Sequence, residues 1–86
     1  MHDIILLSKI SQGLAQCCKV NKIKKVSRLV VVVNEKSHVN SSNLYDYVRS
    51  YNEDLTESST KVEVEIDDLP DQTAIIKSIE GINAEK

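Results

Sequence analysis

The amino-acid sequence predicts an α+β domain: two helices packed on one face of a small mixed three-stranded sheet, in the order α-β-α-β-β. Three observations carry the prediction. Apolar residues recur at three- and four-residue spacing in "LSKISQGLAQCC" and again in "NLYDYVRSY", which marks one buried stripe on each of two helices. The run "VSRLVVVVN" is dominated by β-branched residues, and "KVEVEID" alternates apolar with charged residues at the period of a half-exposed strand.

The first helix runs from Asp3, which can cap its start, to about Val20, with Leu7, Ile10, Leu14 and Cys17 or Cys18 on its buried face and Asn21 as a stop signal. Gly13 lowers its intrinsic helicity by up to ~1 kcal/mol relative to alanine, so packing must hold this helix. From Val26 to Val33 the first strand places apolar residues in both alternation phases, the pattern of a central strand covered on both faces for part of its length. Asn40, Ser41 or Ser42 offers an N-cap for a second helix reaching about Asn52, with Leu44, Val48, Tyr51 and Leu55 as its stripe. Val62, Val64 and Ile66 then alternate against Lys61, Glu63, Glu65 and Asp67, one face toward the core and one toward water. Pro70, Asp71 and Gln72 predict a tight reversal, after which "TAIIKSIEG" supplies a last strand expected to pair antiparallel with the one before it. A strand, crossover helix and strand place the first two strands parallel, which makes the sheet mixed.

With 86 residues the chain makes a single domain, residues 1–86, with one modest core. Eleven Lys and Arg stand against 13 Asp and Glu, a net charge of −2 without a basic block, so no nucleic-acid partner is expected. The longest apolar run is Leu29 to Val33, far short of a membrane span, and no basic segment precedes an apolar one at the start. A cytoplasmic protein with no membrane partner is the expectation. The adjacent Cys17 and Cys18 suit a reducing compartment, and with no CxxC pair there is no zinc knuckle. No Ser/His/Asp or Cys/His set with a recognisable context and no glycine-rich phosphate loop is present, so an enzyme is not expected.

The start "MHD", the stretch "VSRLVVVVNEKSHV" followed by "NSSNLYDYV", and the ending "IIKSIE" together resemble the nickel-binding half of the hydrogenase- and urease-maturation nickel chaperones, the HypA/HybF family. The resemblance covers nearly the whole chain in order. Members of that family carry a zinc domain between their last two strands, whereas "DDLPDQT" joins those strands directly here, so the zinc module is absent between about residues 69 and 73 and no zinc is expected. Deleting an insert whose ends lie close together costs little loop-closure entropy. The resemblance implies a Ni(II) cargo held by the Met1 α-amino group, the His2 imidazole and backbone amide, and Asp3, where relatives usually have Glu. Glu35 and Ser37 match the family's Glu and Ser after the first strand. His38 stands where small residues are common and is a further candidate ligand, and Asn40 stands where some relatives place an acidic residue near the metal. Hydrogenase or urease maturation proteins are the partners it implies.

The donor chemistry is coherent. With histidine in second place, amine and amide close one chelate ring and amide and imidazole a second, and such nitrogen-rich tetragonal geometry suits Ni(II) and Cu(II). Amine and imidazole must shed protons to bind, so acid weakens the site. Outside that family context a second-position histidine is an ordinary exposed side chain. The remaining features read structurally: Cys17 and Cys18 as helix packing, Tyr45, Tyr47 and Tyr51 as core rim and interface, Lys22, Lys24 and Lys25 as a solvated loop, and Glu63, Glu65 and Asp67 as a solvated sheet face. The sequence thus supports a nickel metallochaperone-like protein. A metal-free interaction module that kept the chaperone fold and modulates a maturation complex is the alternative, and an open sheet edge allows a homodimer.

Overall fold

A computed structural model describes residues 4–83. Its elements follow the predicted order: helix α1 (Ile4–Asn21), strand β1 (Ile23–Asn34), helix α2 (Ser41–Tyr51), strand β2 (Lys61–Asp67) and strand β3 (Ala74–Asn83). The fold is α+β, two helices against a mixed sheet of three strands in the order β2-β1-β3. Asp3, the expected cap of α1, lies outside the described residues.

The core forms where the helix stripes meet one face of β1. Leu6, Leu7, Ile10, Leu14 and Cys18 of α1, Leu44 and Val48 of α2, Val39 of the loop before it, and Val26, Leu29, Val31 and Val33 of β1 make one buried cluster. Sequence spacing had left Cys17 and Cys18 as alternatives; Cys18 is the buried one and Cys17 is half-buried. Burial, then proximity to Cys17, pushes the Cys18 thiol above its ordinary pKa. Asn40 caps α2: its side chain accepts from the Asn43 amide while the Asn43 side chain accepts from the Asn40 amide, both at 2.9 Å. This reciprocal pair satisfies an orphan donor at the helix start.

The end of α2 departs from the expected stripe. The helix stops at Tyr51 with Asn52 as its C-cap, and Tyr51 is 69% exposed, tilted against Tyr47 with ring centroids 4.4 Å apart. Leu55 reaches the core from the following turn instead, where its carbonyl accepts from the Val26 amide at 2.7 Å. A polar knot fixes that turn. Ser11 donates to Asn52 Oδ1 at 2.6 Å, Arg49 donates to the Thr56 carbonyl, and the buried Thr60 hydroxyl donates to the Val26 carbonyl at 2.6 Å. Buried side chains are thereby all supplied with partners among the described residues.

The strand pairing corrects one expectation. β1 pairs parallel with β2, Leu29 beside Val62 and Val33 beside Ile66, as the crossover through α2 requires. β3 does not form a hairpin with β2: it pairs antiparallel with the opposite edge of β1, Leu29 beside Ile79 and Val33 beside Ala74. The physical reason is burial. β2 offers only half-buried valines and an acidic outer row, whereas the free edge of β1 lies beneath α1, where Ile76 and Ile79 can join the core. Gly13 admits this contact, since a Cβ there would sit 3.1 Å from Ile76 Cδ1. The Pro70 turn therefore carries the chain over the end of β1 from one edge of the sheet to the other.

The second face of β1 is not covered by a helix. Val30 is nonetheless only 3% exposed, lying between two sets of ion pairs. Arg28 forks to Glu63 on β2 (3.0 Å) and to Glu80 on β3 (3.2 Å), and Lys77 on β3 reaches across β1 to Glu65 on β2 (2.9 Å). The aliphatic stems of such residues shield apolar surface while their charged ends remain in water. Each pair is exposed, so solvent screening leaves it a minor contribution to stability.

Candidate functional site

The chain's candidate ligands direct attention to one end of the molecule, where β1 and β2 finish, β3 begins, and both helices start. Three segments converge there: the first turns of α1, the loop 35–40 between β1 and α2, and the loop 68–73 between β2 and β3. Leu6, Asn34, Lys36, Ser37, Asp71 and Gln72 line a cavity of about 250 Å³ between them. Lys9 of α1 donates to the Gln72 carbonyl at 3.3 Å, which ties the helix start to the crossing loop.

Asn34 organises this end. It terminates the valine run of β1 and is 6% exposed. Its amide nitrogen donates to the Leu69 carbonyl of the crossing loop, and its Oδ1 accepts from the Lys36 amide at 2.6 Å. The Asn34 carbonyl accepts from the Ser37 amide at 3.0 Å, and the Ser37 hydroxyl accepts from the Val39 amide at 2.9 Å, so the loop is built from short local turns. Gln72 adopts φ 58°, a left-handed conformation rarely taken by a non-glycine residue, at the point where the loop turns into β3.

Of the candidate ligands, Met1, His2 and Asp3 lie outside the described residues. His38 sits exposed on the loop 35–40, and its carbonyl accepts from the Asn43 side chain at 2.9 Å, which fixes its backbone against the cap of α2. It stands at the end of the molecule where α1 begins. On the same loop Glu35 is exposed and Ser37 half-buried. The Asn40 side chain is engaged as the cap of α2. Among the described residues no group of three or more His, Cys, Asp or Glu side chains is gathered as a metal would need.

Lys24 and Lys25, expected with Lys22 in a solvated loop, lie instead within β1, because the strand begins at Ile23 directly after α1; the remaining features kept their structural roles. Glu63 and Glu65 are tied to Arg28 and Lys77 across the sheet face, and the Arg28 hydrogen bond holds the Glu63 carboxyl below its ordinary pKa. Tyr47 packs against the core and Tyr45 donates to the Ser58 carbonyl at 3.0 Å. No described helix is long and apolar enough to cross a membrane. Sequence reasoning missed Asn34 and the crossing loop it holds; an asparagine closing a run of valines was the available signal, because a polar side chain at the end of a buried strand must find partners. No family model, curated protein or solved structure matches the chain.

Proposed function

We propose that the protein is a nickel-binding metallochaperone-like domain that holds Ni(II) as cargo through Met1, His2 and Asp3, with His38 as a further ligand, for delivery to hydrogenase or urease maturation. The observation that supports this reading is the convergence of the start of α1 with the loop bearing His38 at one end of the fold. Ile4, the first residue of α1, lies at that end. The Met1 amine, the amides and the His2 imidazole supply planar nitrogen donors, and an imidazole from a neighbouring loop can complete the set. The chain's own contribution is to fix the position of that loop through Asn34, Asn40 and Asn43.

Copper outranks nickel at such donors, so nickel selectivity would rest on metal supply and on the receiving protein. The test is calorimetric titration of nickel into protein with an authentic, untagged Met1, alongside His2→Ala and His38→Ala. One equivalent should bind to the parent, be lost in His2→Ala, weaken in His38→Ala, and weaken in acid as amine and imidazole take up protons. A folded parent that binds no nickel, or a His2→Ala variant that binds it as well as the parent, refutes the chaperone reading and leaves a metal-free interaction module.

A further inference from the structure

β3 is seated by β1 and α1 rather than by β2, the strand that precedes it. Its ladder runs along β1, and Ile76 and Ile79 reach the core beneath α1. Toward β2 it extends the exposed Lys77–Glu65 pair. Loop 68–73 is what keeps β3 in its own chain. Asn34 ties that loop to β1 through the Leu69 carbonyl, and Lys9 ties it to α1 through the Gln72 carbonyl. The closed turn passes through Gln72 at φ 58°, where a side chain costs strain that an extended loop releases. Pro70 biases Leu69 toward extended backbone as well.

The strand order lets the loop open without loss of register. β2 and β3 flank β1 on opposite sides, one parallel and the other antiparallel to it. A two-fold axis normal to the sheet, beyond the Asn34 end of β1, therefore lays the β3 seat of a second copy in line with β2. Extended, loop 68–73 spans roughly 20 Å, against about 10 Å for a crossing of two strand spacings. The difference leaves room at the junction for loop 35–40 and the helix starts of both copies. We infer that two copies of the chain exchange β3, each strand taking the place of its twin on the other copy's β1. The seat names its occupant: Leu29 beside Ile79, Val33 beside Ala74, and the close approach of Ile76 to Gly13 suit β3 and are the same in either copy. Exchange keeps the ladder and the core, opens the Gln72 turn, and gives up the Asn34 and Lys9 ties. Because β3 must leave its seat before it is traded, exchange is slow in native conditions and hastened by partial unfolding. It needs no metal.

In the experiment, protein at millimolar concentration is held at its urea midpoint, returned to buffer, and read by size-exclusion chromatography and native mass spectrometry. The parent should yield a dimer that persists after dilution. Gln72→Gly, which takes the left-handed turn without strain, should yield roughly fivefold less. Lys77→Glu and Glu65→Lys, one of them isotope-labelled, supply the decisive arm. Both substitutions sit in an exposed ion pair, and far-ultraviolet circular dichroism checks that the fold persists. Each variant alone sets like charges together on the sheet face, whether monomeric or exchanged. In a mixed exchanged dimer, positions 65 and 77 meet as opposite charges at both seats, so mixed dimers should exceed the statistical ratio roughly tenfold. A dimer joined edge to edge leaves each 65–77 pair within its own chain and gives the statistical ratio. A parent that stays monomeric, a dimer that dissociates at once on dilution, mixed dimers at the statistical ratio, or a Gln72→Gly variant that dimerises as fully as the parent overturns the proposal.

Discussion

Replacing Asn34 with alanine tests how the crossing loop is held. The side chain is nearly buried and makes two hydrogen bonds that nothing else nearby duplicates, one to the Leu69 carbonyl and one from the Lys36 amide. Leaving a buried donor or acceptor without its partner costs about 1–3 kcal/mol. Both stranded groups sit in loops that water can reach, so the lower part of that range applies, about 1–2 kcal/mol. For a domain of this size that lowers the melting temperature by roughly 5–15 °C. The loss is smaller than the roughly 4–13 kcal/mol expected for total stability, so the variant stays folded. The assay is thermal unfolding combined with amide hydrogen exchange: exchange should accelerate in loop 68–73 and at Lys36, while the β1–β2 and β1–β3 ladders keep their protection. Asn34→Asp restores the acceptor for Lys36 but turns a carboxylate toward the Leu69 carbonyl, so its defect should ease in acid. An alanine variant that melts within about 2 °C of the parent with unchanged loop exchange would refute the latch.

Three further outcomes follow from the packing and the charges. Gly81→Ala places a Cβ inside the van der Waals envelope of the Lys25 carbonyl oxygen and 2.9 Å from Ile23 Cγ2; because backbone has to move, a urea melt should show a loss of roughly 2–3 kcal/mol. Glu63, held below its ordinary pKa by Arg28, stabilises the fold above the usual carboxylate range and loses that contribution as pH falls through its lowered value. Melting temperature followed from neutral to acid pH should therefore drop less in Arg28→Gln than in the parent. Iodoacetamide at neutral pH should label Cys17 well ahead of Cys18, whose burial disfavours the thiolate, and denaturant should make the two thiols equal.

Local signals in the chain were strong enough to place every element, and they failed where the answer depended on residues far apart. The start of α2, narrowed to Asn40, Ser41 or Ser42, the valine-rich central strand and the alternation of Val62, Val64 and Ile66 each depend on neighbours within a few positions, so spacing alone reveals them; the reciprocal bonds with Asn43 single out Asn40. The partner of β3 is set instead by which edge of β1 lies under α1, a fact no short window contains. Tyr51 fitted the apolar stripe by spacing, yet the helix ends there and Leu55 takes the inward position from the turn. The cover over Val30 was likewise invisible, because the pairs that flank it join residues on three different strands. At the candidate site the sequence singled out donor atoms, His38 among them, but the scaffold that fixes the loop, Asn34 above all, shows itself only when strand ends and loops are seen together.

The place of β1 between two distant partners has a consequence for how the chain is made. One side of this valine-rich strand can be completed by β2 soon after α2 forms, but the other side waits for β3, whose residues leave the ribosome last among the three strands. Until then a long, apolar, unpaired strand edge is open to any other nascent chain nearby. Pairings so distant in sequence also form slowly. Cellular yield should therefore be governed less by the stability of the finished domain than by how quickly its final strand arrives.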